Sequence, residues 1–342
     1  MEKKKKMTTW NRMQHLDRRY IYIVVAVAII IPLLIPFNTP TYVTEPTANI
    51  YKKIDSFADR EDKAILMSFN HDASTMPELF PMEVSILRHC FERNVKVFTL
   101  CFLPQAAPLV DYAINTAKEG YDVTSGVDYL NFGYRPYALQ LPIILGMGED
   151  ISEALETDSE GRKIDNLKIM ENIRNYDDMN LVIDFSGSAS IQTWIIYARA
   201  KFGANIAAGI TAVMVADNYP YLQTGQLVGM LRGLKGAAEY EKLVDVFAAY
   251  KDEEYPNGRP YSQEILKEIN VPITAKNVTY DITDDEGNVE RVVTDRELQY
   301  DFKKARIGMN AQSVAHIMII FFILVGNIGY FITRKNKQNK LG

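Results

Sequence analysis

AILMSFNHDASTMPELFPMEVSILRHCFERNVKVFTLCFL, residues 64–103, places an apolar run, an amphipathic stretch and a second apolar run end to end. Ala64 to Phe69 has the unbroken apolar character of a strand buried on both faces. Met76 to Arg93 reads as a helix, with Pro77 and Glu78 in a first turn that tolerates a missing N–H and favours negative charge. Val95 to Leu103 is apolar and β-rich again. A strand, a helix and a strand at this spacing make a crossover unit, which requires the two strands to be parallel.

The alternation continues on the C-terminal side. Ala106 to Gly120 reads as a helix stopped by glycine, Val127 to Phe132 as a strand and Tyr137 to Leu155 as a helix. The polar stretch Glu156 to Asp165 reads as a surface loop and Lys168 to Asn175 as a short helix. Asn180 to Phe185 is a strand, Ala189 to Phe202 a helix, Ile210 to Ala216 a strand, and Gln223 to Tyr250 a long helix. The pattern predicts an α/β fold in residues 61–254: a doubly wound, mostly parallel sheet in a three-layer αβα arrangement of the Rossmann/flavodoxin-like kind.

Residues 255–310 differ. Tyr255 to Pro260 is turn-rich, and Ser262 to Glu268 is a short helix. Val278–Thr283 and Val289–Thr294 alternate around Asp284-Asp285-Glu286-Gly287-Asn288, as a β-hairpin does. Arg296 to Met309 reads as a stalk helix.

Two apolar segments bracket this body. Residues 20–37 and 311–333 are each near the length of a bilayer-spanning helix, and Ile317 to Val325 is apolar on every face. His316 and Asn327 fall near the ends of the second segment, where polar groups are tolerated. No small-x-small cleavage site follows the first segment, so it reads as an anchor rather than a removed leader. Basic residues crowd the outer flanks, in tails 1–19 and 334–342. The expected topology is two-pass in the cell membrane, with both termini cytoplasmic and the body extracytoplasmic, joined to the first span by a linker over 38–60.

The whole chain has net charge −5. With the seven basic and two acidic residues of 1–19 and the four basic residues after 333 set aside, the rest stands at −14. Such a body argues against nucleic acid and against lying on anionic lipid. The two cysteines, Cys90 and Cys101, form no zinc spacing and no disulfide framework; a pair or two buried thiols both remain open. Asn277-Val278-Thr279 is a formal glycosylation sequon.

In open parallel sheets, ligands bind outside the carboxyl ends of the strands. Reading those ends in order collects Ser68, Asn70, His71, Asp72, Ser74 and Thr75, then Gln105, then Tyr134 and Arg135. Asp184, Ser186 and Ser188 follow, then Asp217, Asn218 and Tyr219. Many such residues also serve turns and helix caps. His71-Asp72 is the one candidate acid/base pair, since the body has only one other histidine, His89. Asp184, Ser186, Ser188 and Asp217 are the candidate oxygen ligands for Mg²⁺ or Ca²⁺.

Asp184-Phe185-Ser186-Gly187-Ser188 resembles the DxSxS element of von Willebrand factor A-type domains, which implies a divalent cation held by carboxylate and hydroxyl oxygens. That element follows the first strand of its family, whereas three strands precede it here. The stretch is also similar to the aspartyl-phosphate motif of haloacid-dehalogenase-like enzymes, but Ser186 stands where their second aspartate would act as general acid. The simplest reading has Ser186 or Ser188 capping the helix that begins near Ala189. There is no GxSxG elbow, no GxGxxG after the first strand and no Walker lysine loop.

Gly225, Gly229 and Gly233 recur every four residues of the expected long helix. Each costs roughly 1 kcal/mol against alanine in a helix interior, so the stripe reads as a close-packing or self-association face. No cofactor is expected unless the cation site is real. The sequence thus favours a non-enzymatic, membrane-anchored binding or scaffold protein that works with other membrane proteins, including further copies of itself. The alternative is a metal-dependent hydrolase at the carboxyl ends of the strands.

Overall fold

A computed structural model describes residues 18–37, 41–249, 258–263, 266, 279–283, 289–293 and 303–338. The chain divides into two compact units, Pro40–Arg306 and Met1–Thr39 with Ile307–Gly342.

The larger unit is an α/β fold. Its elements are α2 (Glu45–Asp55), β1 (Ala64–Asn70), α3 (Met76–Glu92), β2 (Lys96–Cys101), α4 (Ala107–Ala117) and β3 (Tyr129–Tyr134). Next come α5 (Gln140–Met147), α6 (Ile151–Leu155), β4 (Leu181–Ser186), α7 (Ser190–Thr193) with a π-helical continuation, and α8 (Ala200–Phe202). β5 (Ile206–Ile210), α9 (Val215–Gln223), β6 (Gly229–Arg232) and α10 (Gly233–Leu243) complete it. A separate antiparallel hairpin pairs β7 (Thr279–Thr283) with β8 (Val289–Val293), Thr279 opposite Val293. The smaller unit holds α1 (Arg18–Leu34) and most of α11 (Lys304–Gln338).

The six main strands form one all-parallel sheet in the order β3-β2-β1-β4-β5-β6. All seven residues of β1 and all six of β4 are buried, which is why they read as continuous apolar runs. On one face Leu66, Phe98, Phe132 and Val182 join a core with Ile144, Met147 and Trp194; the rings of Phe98 and Phe132 stack at 5.3 Å. On the other face lies α3, buried from Leu79 to Glu92.

The structure corrects several boundaries. Within the stretch expected to be linker, α2 is a helix whose Ile50, Tyr51 and Ile54 are buried. The expected helix over 137–155 is two helices, separated at Gly148–Asp150, with Asp150 capping the second through the amides of Ser152 and Glu153. Only Lys168–Met170 of the expected 168–175 helix is helical, as a 3₁₀ turn. The polar loop after Leu155 covers an edge: Ser159 donates to the Asn131 carbonyl of β3 at 2.8 Å, and Arg162 braces the loop on Asp158 at 2.6 Å. A parallel sheet whose edge is covered this way offers no free ladder to another strand.

The largest corrections lie at the fifth and sixth strands. The strand expected over Ile210–Ala216 lies earlier, over Ile206–Ile210, and α9 follows it. Gly209 is there because a Cβ would stand 2.4 Å from the Phe185 ring on β4. The long helix expected over 223–250 is instead a turn, an edge strand and then α10. Gly225 ends α9 in a left-handed conformation (φ +70°), Gly229 lies in β6, and Gly233 turns strand into helix at φ +53°. The three glycines therefore share no helix face, and the packing stripe does not exist. The helical penalty is avoided because none of the three sits in a helix interior.

Two segments at the ends of this unit are held on α10. Thr44 donates to Glu239 through both its amide (2.9 Å) and its hydroxyl (2.7 Å), and Lys242 donates to the Thr41 carbonyl at 3.1 Å. From the other end, the amides of Ala305 and Arg306 donate to the buried Glu241 carboxylate at 2.9 and 3.1 Å. Among the described residues, Lys304–Ile332 of α11 is long and apolar enough to cross a membrane. Its Ile317, Ile320, Leu324 and Phe331 are exposed, as lipid contact requires. α1 is apolar but spans 17 residues.

Candidate functional site

The chain leaves β1 for β2 and β3 on one side and returns to β4 on the other. At such a reversal the turns after the two strands diverge, opening the crevice where open α/β sheets bind ligands. The turns after β1 and β4 meet there.

Asp184 is fully buried one position before the last residues of β4. Its two oxygens are taken: Asn70 donates to one at 2.6 Å, and the Ser190 hydroxyl donates to the other. Asn70 also donates to Ser68 at 2.7 Å and accepts from the Phe102 amide at 3.3 Å, tying β1 to β2 and β4. Burial raises the Asp184 pKa above the ordinary carboxylate value, and the Ser190 and Asn70 hydrogen bonds pull against that rise. Ser186 accepts from the Ser188 amide at 2.9 Å and its hydroxyl meets that of Ser188 at 3.0 Å.

Ser186 thus closes a turn rather than capping a helix. α7 begins at Ser190 with Ala189 before it and no side-chain cap, which corrects the capping expectation. Gly187 allows the two turns to touch: a Cβ there would lie 2.8 Å from the Thr75 methyl and 3.7 Å from that of Thr211. The Thr211 hydroxyl is buried, without a hydrogen-bond partner among the described residues.

His71 and Asp72 do not form an acid/base pair. The imidazole is buried, meets Glu83 through Nε2 at 2.5 Å and reaches Asp72 only at its backbone carbonyl, 3.2 Å from Nδ1. The Asp72 carboxylate turns outward and accepts from the Ser74 amide at 2.8 Å; those Ser74 bonds lower its pKa. Burial alone would lower the pKa of His71, but the Glu83 carboxylate outweighs it and the net shift is upward.

A histidine whose folded pKa is raised stabilises the fold fully below its free value of about 6.5. That contribution is lost as pH rises through the folded value. The stability difference between the parent and Glu83→Gln, measured by thermal unfolding of the full chain, is expected to be full below about pH 6.5 and to shrink as pH rises above it. A difference that stays constant as pH rises above that value would show that the pair carries no charge.

Asp217 does not join Asp184, Ser186 and Ser188. It lies exposed in α9, because β5 ends before the position expected. Its neighbour Asn218 is buried and donates to the Met214 carbonyl at 2.9 Å; Tyr219 is exposed. What remains is one carboxylate, with both oxygens accepting hydrogen bonds, beside two hydroxyls bonded to each other. This is not the charged oxygen cage a hard dication takes. Among the described residues, no group of three or more His, Cys, Asp or Glu side chains is placed to hold a metal. Cys90 and Cys101 are separate buried thiols, and burial raises the Cys101 pKa to about 12. Asn277 lies outside the described residues.

Glu83, Ser190 and Thr211 belong to the site but were not singled out from sequence. Glu83 had a signal, since it is a carboxylate on the apolar stripe Leu79, Ile86, Cys90 of α3. Ser190 and Thr211 had none, because a short hydroxyl side chain in a turn is commonplace. No family model matches this chain, and comparisons with curated proteins and with solved structures give no match either.

Proposed function

We infer that the chain is a membrane-anchored binding or scaffold protein acting within a membrane protein complex. Its α/β body, residues 61–254 with α2 added, is a Rossmann-like, doubly wound domain held outside the cytoplasm. Residues 20–37 and 311–333 both span the bilayer, and the basic tails lie on the cytoplasmic side. The observation that carries this reading is the fastening of both end segments of the body to one helix. Thr41 and Thr44 bond to α10 from one side, and Ala305 and Arg306 cap onto its Glu241 from the other. Chain segments that run to two spans in one bilayer must leave the domain close together, and α10 brings them there.

The site chemistry points the same way. The hydroxyls and the carboxylate at the β1/β4 reversal are spent on one another, and His71 is buried against Glu83. Such a network rigidifies the edge of a domain and supplies no nucleophile aligned with a base. The hydrolase alternative would require Asp184 to release Asn70 and Ser190.

Topology is tested with a membrane-impermeant thiol reagent on intact cells, since both native cysteines are buried. Val213→Cys is expected to label and Lys337→Cys to label only after the membrane is opened. The reverse pattern would overturn the reading.

A further inference from the structure

α11 runs unbroken from Lys304 to Gln338, and within its apolar stretch coverage and polarity fall on opposite sides. Ala311 and Gly329 are buried, and Val314, Met318, Phe322 and Val325 are partly covered. At roughly 100° per residue these residues share one side of the helix. Gln312, His316 and Asn327 are exposed and lie within about 60° of one another on the opposite side. A membrane helix ordinarily turns its polar side chains toward protein and its apolar ones toward lipid. α11 does the reverse, unless protein covers the polar side as well.

Asn327 decides the matter. His316 stands about 27 Å of helix before Arg334, close to the full hydrocarbon thickness of about 30 Å, so it and Gln312 reach water at the far boundary. Position in the segment suggests the same for Asn327, yet it stands only about 10 Å inside Arg334, within the hydrocarbon, and its short amide cannot reach water from there. Its side chain has no hydrogen-bond partner among the described residues, whereas Asn310 donates to the Phe37 carbonyl. An amide left unpaired in hydrocarbon is costly. Beside it, Gly326 has nothing within 4 Å of where a Cβ would stand, so another backbone can come close on this side.

The polar side also selects its occupant. α1 has no hydrogen-bonding side chain from Ile23 to Leu34, so neither the chain's own α1 nor that of another copy can pair the amide. A second α11 can. Copies of one chain enter a bilayer with the same topology, so their α11 helices run parallel and Asn327 meets Asn327 at one depth. Each amide has donors and an acceptor, so the two satisfy each other. The match repeats at Gln312 and His316, whose side chains also donate and accept. Two-fold pairing of like chains is the commonest assembly.

We propose that the polar side of α11, centred on Asn327, pairs two copies of this chain within the bilayer through a hydrogen bond between their Asn327 amides. The proposal rests on the reading above that residues 311–333 span the membrane, because only hydrocarbon makes an unpaired amide costly enough to select a partner.

The test uses the full chain, in native membranes and reconstituted in lipid vesicles. Because both native cysteines are buried, Ile323→Cys and Met318→Cys place single reactive thiols on the polar and the covered side for oxidative cross-linking. Ile323→Cys is expected to link copy to copy and Met318→Cys is not. Asn327→Leu is expected to weaken the dimer, followed across a lipid-dilution series, by about threefold to twentyfold, the range of interhelical polar bonds in membranes. Asn327 lies in the smaller unit, so unfolding of the α/β body should not change. A parent that stays monomeric at high density, a dimer indifferent to Asn327→Leu, or cross-linking through Met318→Cys alone overturns the proposal. Cross-linking of Ile323→Cys only to a different membrane protein overturns self-pairing and leaves the scaffold reading standing. Release of the chain from membranes by alkaline washing overturns that reading as well.

Discussion

Asp245→Ala is expected to destabilise the α/β body by about 3–5 kcal/mol, the cost of breaking a buried ion pair from one side. Asp245 lies just beyond α10 and is fully buried. One oxygen accepts from Arg88 of α3 at 3.2 Å and the other from Arg306. Both guanidiniums are themselves buried, and Lys303 is buried beside them. Glu241 is the other acid of this group: burial raises its pKa to about 7, and Arg306 and the amides of Ala305 and Arg306 act against that rise. With Asp245 gone, the cations keep their desolvation cost and lose a counter-charge.

Denaturant unfolding of the full chain measures the loss. Arg88→Met combined with Asp245→Leu is expected to recover much of it, because apolar replacement of a buried pair is often near neutral. A single variant within about 1 kcal/mol of the parent would show that these charges do not hold residues 303–306 to the body.

Gly229→Leu is expected to cost about 3 kcal/mol, the upper range for overpacking, by forcing α2 off the sheet edge. A Cβ at Gly229 would stand 2.3 Å from the Pro46 carbonyl oxygen and 2.6 Å from Ile50. The first obstacle is backbone, so no rotamer change relieves it. α2 carries Tyr51, whose ring stacks on His89 at 4.0 Å, and Asp55, which accepts from Arg93 at 2.7 Å. Loosening α2 therefore exposes α3 from that side. Hydrogen exchange should locate the damage in residues 45–55 and 229–232. Parent-like protection there, with loss elsewhere, would contradict this account.

Elements whose residues announce their own burial were legible in the sequence. β1 and β4 are apolar at nearly every position because a central parallel strand is covered on both faces, and α3 declares itself by its first turn and its apolar stripe. The hairpin of β7 and β8 was legible because alternation has a period of two and the turn residues sit between its halves.

Elements decided by a neighbour were not legible. Ile206-Ala207-Ala208-Gly209-Ile210 looks too small for a strand, yet its small residues make room for Phe185. Met230 and Leu231 look helical in a run with glycine every fourth position, yet that edge strand is selected by α2 lying against it. Local propensity is a weak prior, and tertiary packing overrode it at both places.

The candidate site shows the same division. Its place at the carboxyl ends, and Asp184, Ser186, Ser188, Asn70 and His71 as members, follow from strand–helix alternation. Which members touch depends on where each strand stops, to within a residue or two. β5 ending at Ile210 sends Asp217 into α9 and brings Thr211 to Gly187, and α3 turning Glu83 inward takes His71 away from Asp72. By itself, the sequence determined the α/β class, the flanking apolar segments and the acidity of the body, because these depend on composition and period. Strand order and the meeting of both end segments on α10 came only with the tertiary structure. They are relations between residues far apart in the chain, and packing alone brings such residues together.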